Sequence, residues 1–133
     1  SGTGIYIAGD KAQITNSKNI SGGTIDEDTK GTSGHGVFID NASGTTASVE
    51  NSAGGVISGG KVGDGTEDSQ GENSGHGVYI ISTDAQVSNY GKISGGDLAG
   101  AGVQSVSDSG VYTAVSLAVV STANLVNYVG ATM

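Results

Sequence analysis

Short runs of apolar residues along the chain are built on a period of two and are separated by glycine-rich stretches. In the run Val78–Ile80 a valine and an isoleucine flank a tyrosine, and in Val87–Asn89 a valine and an asparagine flank a serine. A period of two is typical of β-strands, in which alternate side chains face opposite sides of the sheet. The pattern therefore predicts an all-β chain of short strands joined by glycine-rich corners.

The runs belong to an internal repeat. Each copy opens with a glycine, an apolar residue, an aromatic residue and an isoleucine, continues with an apolar residue two before an asparagine, and ends in Ile-Ser-Gly-Gly. The asparagines are Asn16, Asn51 and Asn89, which lie 35 and 38 residues apart. A further step of 38 residues reaches Asn127, so we expect a degraded fourth copy whose head is Gly100-Ala101-Gly102-Val103.

Repeats of this length are typical of stacked architectures, in which each copy buries its apolar face against the next. Three short strands per copy predict a single-domain, three-sided parallel β-helix solenoid of about four coils. We expect the asparagines to form an internal amide ladder and the paired glycines Gly22-Gly23, Gly59-Gly60 and Gly95-Gly96 to adopt positive φ at a corner. The predicted apolar columns are Ile5/Val37/Val78, Ile7/Ile39/Ile80, Ile14/Val49/Val87 and Ile20/Ile57/Ile93.

A β-sandwich and a blade assembly are the competing folds, but neither explains columns of like residues. Within the β-helix, residues 1–98 hold three repeats with acidic insertions at 26–32 and 63–73. Residues 99–133 form the divergent fourth repeat, a cap or an assembly segment. Val111–Val120 is valine-rich and is the candidate end strand.

The amino-acid composition and net charge exclude several classes of binding partner and site. Glycine supplies 25 of 133 residues, proline and cysteine are absent, and the net charge is −8 with five lysines and no arginine. This balance disfavours nucleic acid, and the lack of cysteine excludes disulfides and thiolate metal sites. Polar residues interrupt the apolar stretch 111–133, so we expect no membrane insertion. The chain starts at Ser1 and contains no leader, so we expect a processed or excised piece of a longer protein.

The Gly-x-Gly-Val-x-Ile head, the Val-x-Asn middle and the Ile-Ser-Gly-Gly tail resemble the passenger domains of bacterial autotransporters and related surface adhesins. The resemblance covers residues 2–98 well and 99–133 poorly. It implies a long, right-handed, glycine- and asparagine-rich β-helix displayed outside the outer membrane, and a role in adhesion or aggregation. The chain departs from the family pattern because it is short for a whole passenger and contains no membrane-barrel domain.

Two features suggest metal chemistry at first sight. His35 and His76 occupy the same repeat position, but a metal site needs about three protein ligands and the first copy has Thr3 there. We therefore interpret them as turn histidines and expect no metal site. The acidic corners Asp26-Glu27-Asp28 and Asp64–Asp68 match no calcium loop, so they are interpreted as solvated loops in which any calcium binding would be weak. No cofactor is expected.

Tyr6, Phe38 and Tyr79 have the opposite parity to the inward valines and isoleucines, which predicts an outward aromatic column. Such a row either binds sugar rings or another protein, or stabilises its own sheet by stacking. Catalysis is not expected, because Asp40 and Glu50 are the only acids near strand ends and no copy pairs two of them. The column is therefore the candidate binding site, and no residue is assigned a catalytic role.

The preferred hypothesis is a non-catalytic β-helix segment, secreted or on the bacterial cell surface, that serves adhesion, aggregation or display as a stalk. Its partners would be other copies of the protein or a host or matrix surface, including glycans. One alternative is a structural subunit of an extracellular fibre assembled end to end. The second is a carbohydrate-binding or carbohydrate-degrading β-helix such as a phage tailspike.

Overall fold

The computed structural model describes residues 2–25, 33–41, 46–61 and 74–96, together with two strands at 111–114 and 122–127. The strands are short, as the alternating runs of the sequence predict. In chain order they are β1 (Ile5–Ala8), β2 (Ala12–Asn16), β3 (Asn19–Ser21), β4 (Val37–Asn41), β5 (Ala47–Asn51), β6 (Val56–Ser58), β7 (Val78–Ser82), β8 (Asp84–Asn89), β9 (Lys92–Ser94), β10 (Val111–Ala114) and β11 (Thr122–Asn127).

The strands form three sheets, and every pairing is parallel. The first sheet has the order β1-β4-β7-β10, the second β11-β8-β5-β2 and the third β3-β6-β9. Each strand of a complete coil therefore lies on the strand three places earlier in the chain, and three strands make one turn. This is a parallel β-helix, and the predicted fold class is confirmed.

The register matches the predicted columns residue by residue. In the first sheet Val37 pairs with both Ile5 and Val78. In the second sheet Val49 pairs with Ile14 and Val87, and in the third Ile57 pairs with Ile20 and Ile93. The inward residues of the second and third coils are fully buried, which places one continuous apolar core along the axis of the β-helix.

The paired glycines do not have the role that the sequence predicts. Among the described residues, positive φ occurs at Gly9, Lys11 and Gly54, which lie at other corners. Glycine is required in the pairs because the backbones of successive coils nearly touch there. A Cβ on Gly22 would overlap the carbonyl of Gly34, and a Cβ on Gly59 would overlap that of Gly75. The prediction of positive φ was wrong, and close backbone approach is the physical reason for these glycines.

The asparagine ladder is confirmed. Nδ2 of Asn16 donates to Oδ1 of Asn51 at 2.8 Å, and Nδ2 of Asn51 donates to Oδ1 of Asn89 at 2.8 Å. Each amide also bonds the backbone of a corner, as when Nδ2 of Asn51 donates to the carbonyls of Gly55 (3.0 Å) and Lys92 (3.1 Å). The ladder therefore satisfies buried backbone carbonyls and ties successive coils together.

The fourth coil is present, but its head differs from the prediction. Leu125 pairs with Val87 and Asn127 with Asn89, as expected. However, the strand that stacks on β7 is β10, in which Val111 pairs with Val78 and Tyr112 with Tyr79. The predicted head at 100–103 lies outside the described residues. The glycine-apolar-aromatic pattern of the head recurs at Gly110-Val111-Tyr112, whereas Gly102-Val103 is followed by glutamine. The position of the aromatic residue therefore identifies the head of the fourth coil better than the Gly-x-Gly match does.

We predict that Gly75→Ala lowers the free energy of unfolding by more than about 4 kcal/mol, because the added Cβ has no room against the Gly34 backbone. Urea unfolding followed by circular dichroism measures the change. Gly2→Ala is the matched control, since nothing lies within 4 Å of its Cβ position, and it should change stability by less than about 1 kcal/mol. Equal stability of the two variants would contradict the close-approach explanation.

We predict that Asn51→Asp lowers the free energy of unfolding by more than about 3 kcal/mol at pH 7, because it removes a buried donor and adds a buried charge. Burial among oxygen acceptors raises the pKa of the new carboxyl above its unfolded value, so stability returns on acidification and is lost as the pH rises. Gln86→Glu, the same change at an exposed position, should cost less than about 0.5 kcal/mol. Thermal unfolding at pH 4 and pH 7 separates the two, and a pH-independent loss in Asn51→Asp would count against the ladder's role.

Candidate functional site

One corner of the β-helix is a continuous spine of glycine backbones, which we call the glycine seam. It consists of Gly2, Gly23, Gly34, Gly60, Gly75 and Gly96. Each N–H donates to the carbonyl of the preceding member of this series, with N···O distances from 2.7 to 3.2 Å. Tail glycines and head glycines alternate along the spine, so the seam joins the end of one coil to the beginning of the next.

The seam also closes the bases of the long insertions. The first insertion lies between Gly23 and Gly34, and the N–H of Gly34 bonds the carbonyl of Gly23 at 3.0 Å. The second lies between Gly60 and Gly75, where the matching hydrogen bond is 3.2 Å long. The first residues after each tail still belong to the coil, because the N–H of the buried Ile25 bonds the carbonyl of Lys61 at 3.1 Å. The hydroxyl of Ser33, which is buried, donates to the carbonyl of Gly60. Each insertion therefore begins and ends at adjacent points of a rigid corner.

The charge of the chain is concentrated in three segments of the sequence that follow the seam glycines Gly23, Gly60 and Gly96. Of thirteen acidic residues and five lysines, nine acids and one lysine lie in 26–32, 62–73 and 97–110. These segments carry the whole net charge of −8, and the rest of the chain has four acids and four lysines. The coils are thus electrically neutral as a set, and the acidic segments all leave the β-helix at one corner. The acidic segments themselves lie outside the described residues. The prediction that Asp26-Glu27-Asp28 and Asp64–Asp68 form solvated loops therefore stays a prediction.

The structure places Tyr6, Phe38 and Tyr79 in one outward column of the first sheet, as predicted. The rings of Phe38 and Tyr79 stack with centroids 4.9 Å apart and planes 7° apart, whereas Tyr6 is tilted by 49° against Phe38 at 5.2 Å. Tyr6 is 56% exposed and the other two are half-buried. The column therefore packs largely on itself, and Tyr6 is the member with the most ring surface open to a ligand.

His35 and His76 pack against the aromatic column of Phe38 and Tyr79, a contact that the sequence did not predict. Their rings stack at 5.1 Å with planes 10° apart, and His35 meets the edges of Phe38 and Tyr79 at 5.7 and 5.1 Å. Nδ1 of His35 accepts a hydrogen bond from the backbone N–H of His76 at 3.0 Å. In both copies the histidine precedes the aromatic residue by three positions, and this spacing was the available signal. Within the described ranges no group of three or more His, Cys, Asp or Glu side chains lies together.

A shallow cleft lies on the outer side of the second sheet, at its corner with the first. It has a volume of about 270 Å³ and is lined by Lys11, Ala12, Gln13, Thr46 and Ser48. Lys11 has a left-handed backbone with φ of 55°, which directs the chain around the corner between β1 and β2. The cleft offers one cation and several hydrogen-bonding groups to a small polar molecule, and no sequence motif indicated it.

The two carboxylates that the sequence singled out are not brought together. Asp40 lies in β4 of the first sheet, where its column neighbours are Ala8 and Ile81. Glu50 lies in β5 of the second sheet, between Thr15 and Ser88. Glycoside hydrolysis needs two carboxyl groups that flank one bond. Acids on different sheets of the β-helix do not provide that arrangement.

Comparison of the chain with protein-family models, with curated proteins and with solved structures finds no match. The likeness to autotransporter passenger domains therefore stays a proposal, argued from the repeat itself. Among the described residues, no helix is long and apolar enough to cross a membrane.

We predict an energetic coupling of about 0.5–1.5 kcal/mol between Phe38 and Tyr79 in a double-mutant cycle with leucine, because the stacked rings attract beyond their buried area. Chemical unfolding of the two single variants and the double variant measures it. The cycle of Tyr6 with Tyr79 is the control, since Phe38 lies between them, and it should be additive within about 0.5 kcal/mol. Additivity in both cycles would show that the column contributes burial alone.

Proposed function

We propose that the protein is a non-catalytic display scaffold at the bacterial cell surface, in which a rigid β-helix presents acidic loops for adhesion or aggregation. The observation that carries this proposal is that the neutral coils and the charged segments are separated at the glycine seam. The coils are neutral and regular, while the charged segments each begin just after a seam glycine and the first two also end at one. Variable loops on a rigid support are a common arrangement for recognition.

The surface location is supported by the repeat. The glycine-rich head, the asparagine ladder and the Ile-Ser-Gly-Gly tail are the features that resemble passenger domains of bacterial autotransporters. A β-helix extends by adding coils, so it can place a binding region away from the surface that anchors it. Stiffness follows from the ladder and the seam, because both bond the first coil to the second and the second to the third.

The chemistry of the loops favours a basic partner on a host, matrix or neighbouring cell surface. A charge of −8 carried by segments that begin at one corner attracts cationic groups and steers their approach. Tyr6 lies on the adjacent first sheet and adds an exposed ring that can pack against a sugar or an apolar side chain. The interaction is expected to weaken as ionic strength rises.

A second candidate function is a fibre subunit that assembles end to end. It is favoured by the parallel, in-register stacking of the coils, which further coils of the same kind can continue. The carbohydrate-degrading alternative has less support, because Asp40 and Glu50 lie on different sheets.

We predict that neutralising the acidic residues of one seam segment abolishes most of the attachment without changing the fold. The variant combines Asp64→Asn, Glu67→Gln, Asp68→Asn and Glu72→Gln. Cells that display the chain are scored for attachment to matrix-coated wells and to one another. Attachment should fall by at least about tenfold, equivalent to about 1.4 kcal/mol. The thermal midpoint should stay that of the wild type, because the core and the described hydrogen bonds of the coils are formed by other residues.

The matched control removes the same amount of charge from the coils and corners. It combines Asp10→Asn, Asp40→Asn, Glu50→Gln and Asp84→Asn, the four acids outside the seam segments. This variant should attach like the wild type. An equal loss in both variants would point to net charge and contradict a role for the seam. Absence of attachment by the wild-type chain, or turnover of a polysaccharide by it, would overturn the proposal.

A further inference from the structure

The shallow cleft on the outer side of the second sheet follows from the sizes of three outward side chains. Gln13, Ser48 and Gln86 form one column on that face, one from each of the first three coils. Serine is much shorter than glutamine, so the column has a gap at the second coil. Gln13 and Ser48 line the cleft at this point. The cleft therefore lies between two coils on the outer face of the sheet, and not at an end of the β-helix.

The backbone around the cleft is held in place by buried groups. Thr46 also lines the cleft, and its carbonyl accepts a hydrogen bond from Nδ2 of Asn41 at 2.9 Å. Asn41 is only 2% exposed. Ala12 is buried and pairs with the buried Ala47 of the next coil. This backbone is therefore in position before a ligand arrives, which lowers the entropic cost of binding.

Lys11 is the charged residue of the cleft, and its backbone conformation is unusual. Its φ of 55° lies in the left-handed region, which residues other than glycine seldom adopt. Among the described residues it is the only residue other than glycine with positive φ. Such outliers concentrate at ligand-binding positions. Here the outlier places a lysine in the lining of the cleft.

The lining groups define the chemical class of the ligand. Lys11 supplies three N–H donors and a positive charge, Gln13 supplies an amide, and Thr46 and Ser48 supply one hydroxyl each. Among the described residues that line the cleft there is no carboxylate and no aromatic ring. A cationic ligand would therefore have no counter-charge, and a neutral sugar would have no ring to stack on. The groups match a single carboxylate accompanied by hydroxyls.

The volume of the cleft and the charge of the chain narrow the ligand further. Sites for drug-sized ligands begin at about 300 Å³, so a cleft of about 270 Å³ takes a smaller molecule. A phosphate monoester carries about −1.5 to −2 at pH 7, more than one lysine balances. A carboxylate carries a single charge. Asp10 precedes Lys11 in the chain but does not line the cleft.

The acidic segments do not oppose an anion at this position. They begin at the glycine seam, and β1 separates that corner from the corner that holds Lys11. Four residues of strand span about 13 Å. This distance exceeds the Debye length of about 8 Å at physiological ionic strength, so repulsion from the points where the segments begin is largely screened.

We propose that the cleft at Lys11 binds a uronic acid, a sugar in which one carboxylate accompanies several hydroxyl groups. Lys11 binds the carboxylate, and Gln13, Thr46 and Ser48 bind the hydroxyls. Because the cleft is shallow, the bound unit is either the free sugar acid or the end of a glycan whose remainder extends into solvent. The site goes beyond the display function, because it lies on the second sheet and uses none of the acidic segments.

Binding of D-glucuronate and D-galacturonate to the purified chain tests the site. D-glucose and D-galactose are the matched ligands that lack the carboxylate. Titration calorimetry, or NMR chemical shifts for weak binding, measures the affinities. At least one uronate should bind at least about tenfold more tightly than its neutral counterpart, which cannot form the charge-assisted hydrogen bond. Binding of neither uronate, or equal affinity for acid and neutral sugar, would overturn the inference, as would tighter binding of glucose 6-phosphate.

The role of the lysine is tested with Lys11→Asn, since asparagine tolerates the left-handed backbone and carries no charge. This variant should bind the uronate at least about tenfold more weakly and the neutral sugar as the wild type does. Lys18→Asn makes the same change at an exposed lysine outside the cleft and should bind like the wild type. An equal loss in both variants would point to overall charge and contradict the site.

The gap at the second coil is tested with Ser48→Gln, which gives this position the residue of both its column neighbours. The longer side chain fills the cleft and should abolish uronate binding. Ser88→Gln makes the same change on the outer face of the third coil, outside the cleft, and should bind like the wild type. Thermal unfolding confirms that both variants fold. Unchanged binding by Ser48→Gln would place the ligand elsewhere and overturn the inference.

The methyl glycoside of the uronate imitates the end of a glycan. Binding as tight as that of the free acid would identify a glycan end as the ligand, and loss of binding would identify the free acid; either result keeps the site. A chain that attaches through its acidic segments but binds no uronate would reject this inference alone. Uronate binding by a chain that attaches to nothing would reject only the display function.

Discussion

The close approach of glycine backbones at one corner is the constraint on which the rest of the structure depends. At the seam the tail of one coil and the head of the next share a single line of hydrogen bonds, from Gly2 to Gly96. A side chain at Gly34 or Gly75 would overlap the carbonyl of the coil beside it. Because the backbones meet without intervening side chains, each coil returns to the same point and begins the next coil in register. That register in turn stacks valine on valine and asparagine on asparagine.

The glycine seam also separates the regular coils from the insertions, which differ in length and sequence. Hydrogen bonds join Gly23 to Gly34 and Gly60 to Gly75, so the geometry of the coil does not depend on the acidic residues that lie between them in the sequence. The entropic cost of closing a loop grows only slowly with its length, so insertions at this corner are tolerated. The acidic residues have accumulated in these insertions, while the coils keep equal numbers of acids and lysines. Stability and charge therefore reside in different parts of the molecule, which is the physical basis of the proposed display function.

The candidate site could be predicted only in part. The parity of Tyr6, Phe38 and Tyr79 relative to their inward neighbours was enough to place them in one outward column. The histidines were interpreted as turn residues, because their stacking against the same column requires the rotamers of rings from two coils. The cleft beside Lys11 combines residues from β2 and from the beginning of β5, and no local pattern links them. The head of the fourth coil was misplaced because a Gly-x-Gly match was preferred to the aromatic position of Tyr112.

The sequence by itself determined the coil and its register. Alternation of apolar residues defines the strands, and the recurrence of asparagine at a nearly constant spacing defines which residues stack, since only in-register stacking satisfies an amide ladder. Only the tertiary structure decided why the paired glycines are needed, because the clash they avoid is with a coil more than ten residues away. It also decided that His35 stacks on His76 and meets the edge of Tyr79, because rings from different coils come together only after the coils are in register.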